Sequence, residues 1–265
     1  MNDLDNGNWL EFEEEIIHRN RFFPNGDIVR KIDGLLDQIE STIAVAKGKK
    51  LFRARQIALK DIKRMDGQVC GYDEKGSFSP GSDITIAGRA NPSKIPYLYV
   101  AMDEYTAAAE IKPSLKDFIS VAQLEANEDL KLADFIFKEN PGEKRDLELL
   151  RNNISLSYSV VVDKSNSEGY IPTQYIAEYI KHKGLDGIAY MSLQAYGGIN
   201  IALFDERKVT FVRSKVFQTH SIRYNIVEIS DKGEAGTLQL PGAQGDWTKE
   251  QMENVMESIK NNHMG

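Results

Sequence analysis

Residues 86–111, IAGRANPSKIPYLYVAMDEYTAAAEI, carry three local signals in one run. Arg89 lies between Gly88 and Ala90, and Asn91-Pro92 follows, a dipeptide that starts turns. IPYLYVAM is apolar and aromatic and predicts a strand. Asp103 stands where a helix N-cap belongs, EYTAAAEI predicts a short helix, and Pro113 bounds it. Ala107, Ala108 and Ala109 let that helix approach its neighbours closely. Loop, strand and helix thus bring Arg89, Tyr99 and Glu110 onto one compact unit.

Working outward, the stretch from Trp9 to Ala46 predicts a helical hairpin. EFEEEIIHRN forms its first arm, and the adjacent glutamates of FEEEI read as a solvated face. Asn25-Gly26 supplies the turn, Asp27 is a candidate cap, and IVRKIDGLLDQIESTIAVA continues with apolar residues three and four apart. LFRARQI predicts a strand. Residues 71–88 are rich in Gly, Ser, Asp and Pro and predict a long loop, a feature that is often functional. DFISVAQLEA is the next strand, and the charged stretch 128–152 reads as helix or loop. SLSYSVVV, residues 155–162, fits a helix or an apolar strand. IPTQYIAEYIKHK predicts a helix, GLDGIAYMS and GINIALFD two strands around a Ser/Gly-bearing loop. Residues 215–239 offer one or two further strands, and QMENVMESIKNN a terminal helix.

Helices first, then strands mixed with short helices, predict an α+β fold rather than a doubly wound one. No strand leads into GxGxxG, and no phosphate loop of the Walker type is present. The expected organisation is a helical extension over 1–47, a central domain over 48–215, and a strand-and-helix extension over 216–265 packed on the same domain.

Composition narrows the function classes. With 41% hydrophobic and 28% charged residues, the chain is expected to form a packed, soluble core. No apolar run approaches the roughly 18 residues of a membrane span, and no secretory signal opens the chain. A single cysteine, Cys70, rules out an internal disulfide and a multi-cysteine zinc site. Cytoplasmic localisation follows as the expectation. The net charge of −7 argues against a broad nucleic-acid surface while leaving room for a local cationic pocket. The scattered histidines His18, His182, His220 and His263 form no ligand motif, so no metal is expected. Oligomeric state is left open.

The ordered set LFRAR, GRANPSKIPYLYVAMDEYTAAAE, GLDGIAYMS and GINIALF resembles the RES-domain family, named for its arginine, glutamate and serine. The resemblance spans roughly residues 50–210. The N-terminal stretch also resembles the HEPN-like helical extension ahead of some RES domains, without the arginine-histidine motif of HEPN nucleases. The resemblance implies a mixed β-sheet core similar to ADP-ribosyltransferases, with peripheral helices. It further implies a toxin-type enzyme acting on NAD by phosphorolysis or hydrolysis, with inorganic phosphate as co-substrate in the first case. Modification of a protein or nucleic acid with ADP-ribose is the alternative; a non-enzymatic NAD-binding module is a third. The implied partner is an Xre-type antitoxin that blocks the site. By motif match the family's arginines fall on Arg53 and Arg89, its tyrosine on Tyr99, its glutamate on Glu110, its serine on Ser192 and the following asparagine on Asn200. Ala90 takes the place of the usual phenylalanine or tryptophan.

The chemistry suits those residue types. Guanidinium forks hold phosphate oxygens by paired, charge-assisted bonds, a role for Arg53 and Arg89. A tyrosine packs or hydrogen-bonds the nicotinamide, with Tyr99 and Tyr97 both available and Phe52 a further aromatic candidate. Glu110 is placed to stabilise positive charge at the ribose carbon as the base departs. Ser192 is expected to bond the ribose or nicotinamide, and Asn200 to orient Ser192 or a phosphate. No histidine accompanies Ser192 in a hydrolase arrangement.

Overall fold

In the computed structural model, residues 7–37, 42–65, 67–136, 145–160, 167–222, 226–229 and 235–238 are described. Helices α1 (Gly7–His18) and α2 (Gly26–Leu36) form the expected pair. Asn25, not Asp27, is the N-cap, and Asp27 lies in the first turn paired with Arg30. The second helix stops earlier than its periodicity predicts. TIAV forms a strand, β1 (Thr42–Val45), because β-branched Ile43 and Val45 find a partner strand to pair with.

The remaining elements in chain order are β2 (Lys50–Gln56), β3 (Lys63–Met65), β4 (Gln68–Cys70), α3 (Glu74–Ser77), β5 (Leu98–Ala101), α4 (Glu104–Glu110), β6 (Phe118–Ala126) and β7 (Leu130–Phe135). Then follow α5 (Arg145–Ser159), α6 (Ile171–His182), β8 (Gly187–Met191), β9 (Ile199–Leu203), β10 (Val209–Gln218), β11 (Ile226–Ile229) and β12 (Ala235–Leu238). β7 falls in the stretch read as helix or loop. Its charged flanks hide LKLADF, most of which is buried. The ambiguous run at 155 resolves as helix through Ser159. The predicted helix over 251–262 lies outside the described residues.

Eight strands form one mixed sheet in the order β1-β7-β8-β9-β5-β2-β6-β10. β7 and β8 run parallel, with α5 and α6 in the connection between them, and the other neighbours pair antiparallel. The protein is therefore α+β, as its element order predicts, with a mixed sheet and peripheral helices.

Strand alternation gives the sheet two distinct faces. One carries Phe135, Ile188, Tyr190, Tyr97 and Ala202, which pack against Trp9, Phe12, Ile32, Ile154, Tyr158 and Ile176 of α1, α2, α5 and α6. α4 lies on the same face over Ala54, Ala101 and Val121. The other face carries Leu51, Leu98, Val100, Ala122, Leu124 and Leu203, with Phe78 of the 71–80 segment packed on it.

The N-terminal helices are built into this core. Phe12 meets Tyr175 edge-on at 5.7 Å, and Asp33 accepts from both Lys183 and Tyr179 at 2.6 Å. Glu13 is half-buried rather than solvated, which corrects the uniform reading of FEEEI. α5 is pinned to β7 by Arg151, fully buried, whose Nη1 donates to Asp134 O at 2.9 Å and whose Nε lies 3.0 Å from Glu148.

Candidate active site

Asp103 caps α4 as its sequence predicts, accepting from Thr106 N at 2.7 Å. Seven residues on, the helix ends at Glu110, which points toward the start of β9 and the end of β8. Ser192 Oγ and Asn200 Nδ2 both donate to Glu110 Oε1, each at 2.6 Å. The other carboxylate oxygen, Oε2, faces Arg89 Nη2 at 3.5 Å. The Glu110 and Arg89 side chains keep 19% and 16% exposure, so solvent reaches the ion pair.

Ser192 is fully buried. Its oxygen accepts from Gln194 N and Ala195 N, both at 3.0 Å, while its proton goes to Glu110. Its proton and both lone pairs are thus engaged within the protein, which fixes the hydroxyl against the Glu110 carboxylate. Asn200 is likewise buried, at 4% exposure. Both Ser192 and Asn200 thus hold Glu110. The close turn that allows it needs Gly198, where a Cβ would meet Thr106 Oγ1 of α4 at 2.5 Å.

Arg89 enters from the loop before β5. Its Nη1 donates to Tyr158 O at 3.3 Å, and the Tyr190 hydroxyl lies close enough to act on its charge. Burial pulls the guanidinium down, but Tyr190 and Glu110 more than offset this and its pKa ends above the ordinary arginine value. Burial pushes the Tyr190 hydroxyl up to about 12, with Arg89 opposing.

The Tyr99 side chain packs toward the same layer as that of Tyr97, but the two hydroxyls do different things. Tyr99 Oη accepts from Ala90 N at 2.9 Å and donates to Asn91 Oδ1 at 2.8 Å, so it braces the arginine loop. Tyr97 is buried against Phe204 at 4.9 Å, and its hydroxyl donates to Glu178 of α6. The two hydroxyls therefore serve different elements, Tyr99 the arginine loop and Tyr97 helix α6.

Phe52 faces the Glu110 side. It pairs with Ala101, which in turn pairs with Asn200. Arg53, one residue on, projects to the opposite face with its register partner Ala122. There its Nη1 lies 3.4 Å from Ser77 O. Burial, reinforced by Arg55, lowers this guanidinium to about 10, so it is still a cation at neutral pH. The fold brings Arg89, Tyr99, Glu110, Ser192 and Asn200 together, while Arg53 reaches Ser77 O from β2 and feels the charges of Glu206 and Tyr99.

Four residues that the sequence reading missed complete the surroundings. Asn91, 3% exposed, donates to Ile86 O and Pro92 O at 3.0 Å each. Its place beside Arg89 in the opening motif was the available signal. Thr173, Gln174 and Tyr158 sit on helices far along the chain and have no local signature. Among the described residues no three His, Cys, Asp or Glu side chains gather as a metal-ligand set.

A mixed-sheet α+β protein with a partly open arginine–carboxylate pair, its carboxylate fixed by a buried serine and asparagine, is the class that fold and site define. Residues 64–226 match the RES domain family model, well over half of the chain, and the chain belongs to that family. β2, with Phe52 and Arg53, precedes the matched stretch although it is an inner strand of the sheet. The chain is also similar to one chain in the crystal structure of the M. tuberculosis MbcT–MbcA toxin–antitoxin complex. The TM-score is 0.41 and the identity 11%, covering 73% of this chain and 92% of that one. No curated protein sequence matches this chain.

Proposed function

We propose that this protein is a toxin-type enzyme that cleaves the bond between nicotinamide and ribose in NAD. The observation that supports it most is the Glu110 carboxylate, oriented by Ser192 and Asn200 and open to solvent beside Arg89. As the bond breaks, its electron pair leaves with the nicotinamide nitrogen and positive charge develops at the ribose carbon. A fixed carboxylate already desolvated on one oxygen stabilises that charge without reorganising. Water or inorganic phosphate then forms the new bond to that carbon. Arg89 is the cation nearest the carboxylate and suits a phosphate or hydroxyl of the substrate. Such an activity in a cell requires neutralisation, and the proposed partner is an Xre-type antitoxin covering this face.

The test is a time course of nicotinamide release from NAD by the purified chain and by Glu110→Gln, with and without phosphate. Release by the wild type and its loss in the variant support the reading, and phosphate dependence assigns phosphorolysis. A folded wild type that leaves NAD intact in both buffers overturns it. Label transferred from NAD to a macromolecule, with no free ADP-ribose or its phosphate, replaces it with ADP-ribosyl transfer.

A further inference from the structure

The peptide unit joining Arg89 to Ala90 is held at both ends. Its N–H donates to Tyr99 Oη at 2.9 Å, and its carbonyl accepts from Thr173 Oγ1 of α6 at 2.5 Å. The preceding carbonyl, of Gly88, accepts from Gln174 Nε2 at 2.9 Å. Thr173 is 1% exposed, so these bonds are sheltered from water.

The same threonine also belongs to a ring of contacts that returns to Arg89. Tyr158 Oη donates to Thr173 O at 2.6 Å, and Arg89 Nη1 lies 3.3 Å from Tyr158 O. Tyr158 is fully buried and stacks on Phe135 with rings 6.2 Å apart and 18° between planes. Backbone and side chain of Arg89 are therefore both bonded to the helical layer of α5 and α6.

We infer that Thr173 is a positioning residue for the reaction, clamping the Arg89–Ala90 peptide against Tyr99 so that the guanidinium faces Glu110. This rests on the NAD reading for its kinetic consequence but not for its geometry. A carbonyl that loses the threonine donor lets the peptide plane rotate, and rotation takes Ala90 N away from Tyr99. The Cα–Cβ vector of Arg89 turns with it. Displacement of a positioning group by about 1 Å costs on the order of 100-fold in rate.

The experiment compares Thr173→Val, which keeps shape and removes the hydroxyl, with Thr173→Ser, which keeps the hydroxyl. Thr173→Val is expected to lower kcat for nicotinamide release by about 10- to 100-fold with KM changed less than about threefold. Thr173→Ser is expected to recover most of that loss. Wild-type kcat in a folded Thr173→Val overturns the inference. So does an equal loss in the serine variant.

A second readout needs no turnover. The Arg89 Nε–Hε resonance is expected to shift or broaden in Thr173→Val and to return in Thr173→Ser; an unchanged resonance overturns the clamp. If the wild type releases no nicotinamide, the NAD reading falls and this resonance alone decides. Should Thr173→Val not fold, Tyr99→Phe removes the donor–acceptor at the other end of the same peptide. The same shift of the resonance is expected, and its absence overturns the clamp.

Discussion

Asn200 Nδ2 lies 2.6 Å from Glu110 Oε1, although 90 residues of chain separate them. Ser192, 82 residues from Glu110, reaches the same oxygen at the same distance. Two donors on one oxygen fix the plane of the carboxylate and leave Oε2 to Arg89.

Removing either donor is therefore expected to act through Glu110. A hydrogen bond to a charged group contributes about 1.5–3 kcal/mol. Asn200→Ala and Ser192→Ala are each expected to reduce nicotinamide release by roughly 10- to 100-fold. The double variant is expected to lose less than the product of the two, because both act on one carboxylate. Steady-state kinetics of the four proteins checks this, and strict multiplicativity would contradict it.

Arg89→Lys keeps the charge and loses the planar fork. An ammonium group on a shorter chain does not reproduce contacts to Tyr158 O and Glu110 together. Turnover is expected to fall at least about tenfold with the melting temperature nearly unchanged. A lysine variant as active as the wild type would show that charge alone suffices.

Gly88 has no room for a side chain. A Cβ there would lie 2.5 Å from Asn91 Oδ1 and 3.0 Å from Tyr99 Oη, in the hydrogen bond that braces the arginine loop. Gly88→Ala is expected to lower both activity and stability, the latter by about 1–3 kcal/mol, through displacement of that pair. Denaturant unfolding beside the activity assay measures both.

Arg151 makes a different kind of prediction. It lies fully buried between Asp134 and Glu148, whose side chains are 11% and 10% exposed. Arg151→Met leaves two carboxylates buried without their cation. Loss of one partner from such a set costs about 3–5 kcal/mol, so the variant is expected to unfold at much lower denaturant. The further change of both Asp134 and Glu148 to their amides is expected to restore part of the loss.

Glu13 sets a pH dependence. Burial raises its carboxyl to about 7, with a hydrogen bond to Trp9 opposing. A raised folded-state pKa favours the neutral form, so its contribution is intact below the unfolded carboxylate range. It is lost as pH rises from that range to about 7. Glu13→Gln removes the penalty, and is expected to stabilise the protein at pH 8 by on the order of 1–3 kcal/mol and to leave it unchanged near pH 4. Melting curves across that window test the sign.

Much of this was legible locally. The cap at Asp103, the helix ending at Glu110 and the strands flanking the Ser192 loop depend on residues a few positions apart. The β1 strand is not legible locally because IVRKIDGLLDQIESTIAVA keeps a helical spacing past the point where the helix ends. β7 was hidden because its burial comes from two layers that the local sequence does not describe.

The chain's local chemistry fixes the α+β order of elements, the arginine loop and the capped helix, through short-range hydrogen bonding and side-chain periodicity; the set Arg89, Glu110, Ser192 and Asn200 comes from the resemblance to the RES-domain family. Packing at long range decides that Tyr99 braces a loop, that Ser192 and Asn200 bond Glu110, and that α6 bonds the Arg89 peptide. The reason is geometric: alternation fixes which neighbours on a strand point apart, but strand pairing and the packing of distant helices fix which side becomes the site.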